Sequence, residues 1–154
     1  MILVDREIKD LVIKNNLIGN FDEERLGAIS YDVIIDKFIL DDIESDDREY
    51  LLKSGCYVYI KTVESLNMLD NLCCMVIEKN SLMRNGLKVD GPLYQPGHKT
   101  NIFLRIRNIT DRDISLSWKM EIAQLIFLKL SGIPDVTYDK QIDSHYNNEI
   151  VFRN

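Results

Sequence analysis

Apolar and polar positions along the chain change their spacing near residue 28. Before that point the apolar spacing is that of a short helix, which we predict over residues 5–16 with Asp5 placed to cap its start. From there the period changes to two, as in Tyr31-Asp32-Val33-Ile34-Ile35. That alternation is typical of a strand with one buried face.

The rest of the chain repeats the strand pattern. Five further segments have strand-like composition, at residues 56–63, 72–77, 101–108, 114–117 and 121–130. Turn signals separate them, among them Asn85-Gly86, Asp90-Gly91-Pro92, Gln95-Pro96-Gly97 and Ser131-Gly132. Many short strands with little helix between them predict an all-β fold, a barrel or jelly-roll-like core. We expect residues 1–154 to form a single domain.

Composition narrows the classes of function. The chain has 154 residues and a formal net charge of −6, which disfavours a DNA partner because such binding needs phosphate neutralisation. No apolar stretch reaches the roughly 20 residues of a membrane helix, so we expect no membrane contact. The three cysteines, Cys56, Cys73 and Cys74, are predicted to be buried, reduced thiols of a cytoplasmic protein. With two histidines and no CxxC pair, a zinc site is disfavoured.

One polar segment, residues 78–87, lies between predicted strands. Ser81 and Arg84 are three positions apart, so one turn of helix would bring the hydroxyl and the guanidinium to the same side. Free backbone N–H groups at the helix start, with the charge of Lys79, would complete a phosphate cradle. A capped surface turn is the alternative for this segment.

A second polar segment, Tyr94-Gln95-Pro96-Gly97-His98, leads into the strand predicted at residues 101–108. Alternation places Phe103, Arg105 and Arg107 on the face opposite to the buried one. From the pattern alone, this is a strand with a solvent-facing side.

Six motifs in this order resemble the dCTP deaminase/dUTPase superfamily over nearly the whole chain. They are the helix followed by Ile29-Ser30-Tyr31-Asp32-Val33, then Ser54-Gly55 with Thr62-Val63-Glu64, Asn80-Ser81-Leu82-Met83-Arg84-Asn85-Gly86-Leu87, Gln95-Pro96-Gly97 through Asn108, Ile122-Ala123-Gln124-Leu125-Ile126-Phe127, and a tail with Ser131-Gly132, Tyr138 and His145-Tyr146. The resemblance implies a distorted β-barrel of the dUTPase type with a short N-terminal helix. It also implies a homotrimer with nucleotide sites between the subunits.

Both catalytic bases of the superfamily are substituted in this chain. The resemblance places the water-activating glutamate of the deaminases at Arg105, and the water-activating aspartate of the dUTPases at Gln95. A guanidinium stays protonated and has no acceptor, and a carboxamide is not a useful base. Loss of a general base typically costs about 10²–10⁴ in rate.

The phosphate-binding positions keep more of the superfamily pattern. By resemblance, eight residues would contact the nucleotide or its phosphates: Lys79, Asn80, Ser81, Arg84, Arg105, Gln124, Tyr138 and His145. Lys79 and Asn80 replace an arginine and a serine of the motif, and His145 replaces a lysine of the tail. We therefore expect a phosphate-binding site that is altered but still present.

Two functions are compatible with these substitutions. The first is a protein that binds a nucleotide, or a nucleotide-derived signal, without turning it over, as a regulator or as a sponge that would suit a phage. The second is an active dCTP deaminase or dUTP diphosphatase with a relocated base, for which Asp90, Glu121 and Glu149 are the candidates. A structural relic is a third alternative, which the remaining phosphate residues disfavour. We expect no resident cofactor or metal, and Mg²⁺ only as the companion of a nucleotide triphosphate.

Overall fold

Ten strands, two α-helices and two 3₁₀ turns form the part of the chain that the computed structural model describes, residues 1–153. The helices are α1 (Asp5–Asn15) and α2 (Asn80–Arg84). The strands are β1 (Ile18–Gly19), β2 (Tyr31–Leu40), β3 (Ile43–Ser45), β4 (Glu49–Leu52), β5 (Tyr57–Asn67), β6 (Leu72–Glu78), β7 (Leu87–Asp90), β8 (Lys99–Asn108), β9 (Ile114–Ser117) and β10 (Glu121–Lys129).

Eight of these strands form one antiparallel sheet in the order β6-β10-β2-β5-β8-β7, with β1 added to β5 and β3 to β2. The two ends of this path, β6 and β7, lie against each other, so the sheet is nearly closed into a barrel. Strands β4 and β9 pair separately. The predicted all-β, barrel-like fold with a short N-terminal helix is confirmed.

Alternation along the strands separates the core from the outer surface. On β8 the side chains of Ile102, Leu104 and Ile106 are at most 1% exposed and face the core, while Arg105 and Arg107 on the other face are partly exposed. Large side chains fill the barrel, with Tyr31, Tyr94, Phe38 and Phe127 the largest of them. The two-residue period predicted for β2 and β8 is therefore correct, and it directs Arg105 outward.

Two local predictions were wrong in detail. The residue that caps α1 is Val4, whose backbone N–H donates to the Glu7 carboxylate at 3.0 Å, and Asp5 is the first residue inside the helix. Among the cysteines only Cys74 is buried, whereas Cys73 is half-buried and Cys56 is exposed. Cys56 follows the turn at Gly55, in an exposed segment just before β5 begins. All three are free thiols.

A buried ion pair fixes the start of β2 next to β5. Glu64 is fully buried and pairs with the guanidinium of Arg25, and its second carboxylate oxygen accepts from the Ile34 backbone N–H at 3.2 Å. Removing one partner of such a buried pair typically lowers the free energy of unfolding by about 3–5 kcal/mol. The pair thus holds in place the strand that carries Asp32.

Candidate functional site

Helix α2 follows β6 and carries three of the predicted phosphate contacts. Asn80, Ser81 and Arg84 are all exposed, and the single helical turn that their spacing predicts is present. Arg84 is oriented by Asn80, whose Oδ1 accepts from the Arg84 Nε at 3.2 Å. The segment therefore presents a hydroxyl and a guanidinium to solvent.

Lys79, just before α2, is bound by carboxylates of the protein itself. Its ammonium group pairs with Asp32, and its Nζ lies 2.6 Å from Glu121 Oε2. Burial opposes the charged form, but the hydrogen bonds to Asp32 and Glu121 outweigh it and raise the pKa of Lys79. The lysine is charged, and that charge is compensated by two carboxylates.

The same aspartate holds Gln124, on β10. The Gln124 amide nitrogen donates to Asp32 Oδ1 at 3.1 Å and to Ser30 Oγ at 3.2 Å. An ionised carboxylate only accepts, so the amide nitrogen and not the oxygen must face Asp32. Gln124 is therefore left with its carbonyl oxygen, an acceptor, for any further contact.

Arg105 forms a two-donor contact with an acid of the neighbouring strand. Its Nε and Nη2 donate to the same oxygen, Asp90 Oδ2, at 3.1 and 3.0 Å. Lys88 and Arg107 also face Asp90, at 3.7 and 3.8 Å. Burial favours the neutral carboxyl, but Arg105 together with the other two cations holds the pKa of Asp90 below its ordinary value. Asp90 is therefore a weak base.

A cavity of about 330 Å³ lies where the C-terminal tail folds back over β8. Gln95 lines it and is exposed, and the buried ring of Tyr94 forms part of its wall. The Tyr94 hydroxyl is buried without a hydrogen-bond partner. The tail is attached through backbone contacts, among them Asn101 N–H to the Glu149 carbonyl at 2.9 Å.

His98 and Tyr138 close one side of this cavity. Their rings lie 4.3 Å apart, and the His98 Nε2 is 2.9 Å from the Tyr146 carbonyl oxygen. A carbonyl can only accept, so Nε2 carries the proton. Burial lowers the pKa of His98, although the Tyr146 contact works against this. His145 is exposed on the tail.

Glu149 is the acid that lines the cavity. It is 7% exposed, and its carboxylate accepts the Arg153 backbone N–H at 3.0 Å. Burial raises the pKa of Glu149, and the Arg153 contacts offset this only in part. Of the three acids considered as relocated bases, Glu149 is the one that combines burial with a raised pKa.

The structure brings the predicted residues together in three groups. Lys79 and Gln124 share Asp32 next to α2, and Arg105 lies with Asp90 in a shallow hollow of about 230 Å³. Gln95 and Tyr138 line the 330 Å³ cavity. The hollow and the cavity are lined in part by the same residues, including Phe103 and Phe152, and neither is lined by α2.

Sequence reasoning missed three of the residues that build these groups. Asp32 lies in the Ser30-Tyr31-Asp32 motif, but nothing in the motif says that it binds Lys79. Tyr94 begins the second polar segment, but nothing there says that its ring forms a cavity wall, and Phe152 carries no pattern that would mark it. Within residues 1–153 no group of three or more His, Cys, Asp or Glu side chains is placed to hold a metal ion. No helix in the same range is long and apolar enough to cross a membrane.

Several known proteins resemble this chain in sequence. Residues 34–130 match the family model described as dCTP deaminase-like. The dUMP-forming dCTP deaminase of Dictyoglomus thermophilum is 30% identical over 106 residues, which span 68% of this chain and 55% of that protein. The dCTP deaminase of Herpetosiphon aurantiacus is 25% identical over 165 residues, 90% of both chains.

Solved structures share the fold. The 2′-deoxycytidine 5′-triphosphate deaminase of Agrobacterium tumefaciens matches with a TM-score of 0.70 and 16% identity, over 82% of this chain and 47% of that one. The native dUTPase of EIAV matches with a TM-score of 0.51 and 19% identity, over 68% of this chain and 93% of that one. This chain thus spans about half the length of some relatives and nearly all of others. The family match covers more than half of the chain, and the chain therefore belongs to the dCTP deaminase-like family, within the superfamily of dCTP deaminases and dUTPases.

Proposed function

We propose that this protein binds a nucleotide, or a nucleotide-derived signal, and does not turn it over by either reaction of its superfamily. The observation that carries the proposal is the pairing of Arg105 with Asp90 at the position where the resemblance expects the deaminase base. A guanidinium held by two hydrogen bonds to a carboxylate cannot accept a proton from water. Gln95, at the dUTPase position, is a neutral amide.

Two of the acids that could replace the missing base are already engaged. Asp90 faces three cations, and its lowered pKa makes it a poor proton acceptor. Glu121 is bound to Lys79 at 2.6 Å. These contacts support binding without turnover, including a role in sequestering a signalling nucleotide.

The proposal includes a homotrimer with the nucleotide between subunits, as the resemblance implies. In its support, the α2 residues and the cavity that Gln95 and Tyr138 line remain separate groups in one chain. A neighbouring copy would bring such groups together. Mg²⁺ would enter as the companion of a triphosphate, and Lys79, Asn80, Ser81, Arg84, Arg105, Gln124, Tyr138 and His145 are the proposed contacts.

Equilibrium dialysis of the purified protein against a panel of dCTP, dUTP and cyclic dinucleotides, with Mg²⁺, tests the binding proposal. We expect one of these ligands to be retained, and Arg84→Ala to weaken its binding about tenfold or more through loss of a charged hydrogen bond. Arg6→Ala, which removes an exposed arginine on α1, is the matched control and should leave affinity unchanged. Retention of no nucleotide, or equal affinity in the Arg84 variant, would contradict the proposal.

A second candidate is an active enzyme that uses Glu149 as its base. Its burial and raised pKa beside Gln95 are features of a general base, and several relatives are named as dCTP deaminases. This candidate predicts deamination of dCTP, or release of dUMP from dUTP, that is lost in Glu149→Gln and retained in Glu121→Gln. Absence of turnover in the unmodified protein excludes it.

A further inference from the structure

Aromatic rings of β5 lie beside charged side chains of β8 and β7 on the outer face of these strands. The register puts six side chains in two rows across these strands: Tyr57, Arg107 and Lys88 in one, and Tyr59, Arg105 and Asp90 in the other. All six project from the side of the sheet opposite to the core, because they alternate with buried residues. We refer to these six residues as the cation–aromatic face.

The cation–aromatic face carries an excess of positive charge. Lys88, Arg105 and Arg107 surround a single carboxylate, Asp90, which gives three positive charges and one negative charge, or +2. Their side chains are 52%, 36% and 42% exposed, so each can reach a ligand. This local excess of positive charge lies on a chain whose net charge is −6.

The predicted phosphate cradle around α2 carries no such excess. Lys79 is paired with both Asp32 and Glu121, so Lys79 and Arg84 together with these two carboxylates give two positive and two negative charges, or zero. The Gln124 amide nitrogen already donates hydrogen bonds to Asp32 and Ser30. An anion is therefore drawn more strongly to β7 and β8 than to the Lys79 group.

An aromatic hollow adjoins Arg105. The hollow of about 230 Å³ is lined by the rings of Tyr59, Phe103 and Phe152 and by Arg105 and Asp90. The Phe152 ring is 4.9 Å from that of Tyr59 and 5.6 Å from that of Phe103. A planar group can stack on such rings while a neighbouring guanidinium binds an anionic group.

We propose that Lys88, Arg105 and Arg107 bind the phosphate groups of a free nucleotide, whose base enters the aromatic hollow of Tyr59, Phe103 and Phe152. The inference rests on the proposed nucleotide-binding function and names the side chains that hold the anion. Asp90 keeps Arg105 in position when no ligand is bound and competes with the phosphate for the three cations. The site is therefore an anion subsite in addition to α2.

Calorimetric titration with dCTP and with inorganic tripolyphosphate tests the assignment. The double variant Lys88→Gln/Arg107→Gln should lower the affinity for both ligands about 10-fold to 100-fold, as expected for loss of charge-assisted hydrogen bonds. Lys53→Gln/Arg112→Gln removes two exposed charges outside the face and is the matched control, with affinity expected to stay within twofold. Unchanged affinity in Lys88→Gln/Arg107→Gln, in a variant that melts at the same temperature as the parent, overturns the assignment.

Asp90→Asn provides a second test, in which the affinity is expected to increase. Removal of the competing carboxylate leaves three cations without a counter-charge, so both ligands should bind more tightly than to the parent. A merely structural role for Asp90 predicts weaker or equal binding. Either of those results contradicts the proposed competition, and with it the anion subsite.

The outcomes separate this inference from the proposed function. If dCTP binds and depends on Arg84 but not on Lys88 and Arg107, the nucleotide-binding function stands and the subsite is wrong. If tripolyphosphate binds through Lys88 and Arg107 while no nucleotide binds, the anion subsite stands and the nucleotide function is wrong. A single-stranded oligonucleotide that binds more tightly than dCTP would show that the face serves a nucleic acid, which also overturns the assignment to a free nucleotide.

Discussion

Arg105 changes the chemistry of its position in two ways. It removes a proton acceptor, and it gains Asp90 as a partner on the neighbouring strand at 3.0–3.1 Å. The substitution is visible in the sequence, and so is its consequence for catalysis, because arginine has no acceptor. The partner is not visible, since the register of β7 against β8 places Asp90 opposite Arg105 only once the sheet has formed.

His98 should make the stability of the protein depend on pH. Burial lowers its pKa below the ordinary value of 6.5, so the unfolded chain binds more protons than the folded one in this range. The stabilisation is fully present above pH 6.5 and is lost as the pH falls through the lowered pKa of the folded state. We expect the free energy of unfolding, measured in urea, to decrease from pH 7.5 to about 5.5.

His98→Asn should remove most of that decrease, whatever it does to the stability itself. His145→Asn is the matched control, because His145 is the other histidine of the chain and is exposed. A pH dependence that is the same in the parent and in His98→Asn would show that other groups cause it.

At the scale of elements, the junction between α2 and β7 places the two proposed anion sites one after the other in the chain. Gly86 makes this junction with a φ of +78°, and its carbonyl accepts the Ile109 backbone N–H at 2.9 Å. A side chain here would collide with Thr110. Gly86 therefore allows both the turn and the close approach of the loop after β8.

Gly86→Ala and Gly55→Ala should differ in their cost. Both glycines have positive φ, which costs an alanine about 1 kcal/mol. A Cβ on Gly55 meets nothing within 4 Å, whereas one on Gly86 meets the Thr110 side chain. We expect Gly86→Ala to lower the free energy of unfolding by about 1–3 kcal/mol more than Gly55→Ala, because of the additional crowding. Equal losses in urea denaturation would mean that the loop moves aside freely.

Strands with a clear apolar pattern were predictable, including the four-residue β9, and the other short strands were not. Strands β2 and β8, each of ten residues, show enough alternation to be recognised. The four-residue β7 lies between two turn signals and is too short to show a period. The partners of Lys79 were missed because Asp32 and Glu121 are 47 and 42 positions away in the sequence. The resemblance marked Tyr138 and His145 in the tail, but not how the tail is attached, because backbone contacts and Phe152 hold it and no pattern marks them.

At the scale of the whole molecule, the outer face of β6 is where we place the subunit contact of the proposed homotrimer. Met75 and Ile77 are 43% and 41% exposed on this face, at one end of the sheet. Ile77 is the register partner of Gln124, a proposed phosphate contact. Contiguous exposed apolar surface can mark a protein–protein contact. The proposed homotrimer would cover them and place the subunit boundary beside the site.

Light scattering after size exclusion tests this arrangement. The homotrimer predicts a mass of about 54 kDa, three times that of the 18.0 kDa chain. Ile77→Asp should shift it towards the mass of one chain, because a carboxylate in an apolar contact is costly. Ile43→Asp, at a side chain that is 70% exposed on β3, is the matched control and should leave the assembly intact. A single-chain mass for the parent protein, or an unchanged mass for Ile77→Asp, would contradict the proposed contact.

The central claim, binding without turnover, is tested most directly by the fate of the bound nucleotide. Excess protein is incubated with dCTP or dUTP and Mg²⁺, free ligand is removed, the protein is denatured, and the released compound is identified by mass spectrometry. We predict that intact dCTP or dUTP is recovered. Recovery of a deoxyuridine nucleotide from dCTP, or of dUMP from dUTP, would show that another base has replaced the one lost at Arg105.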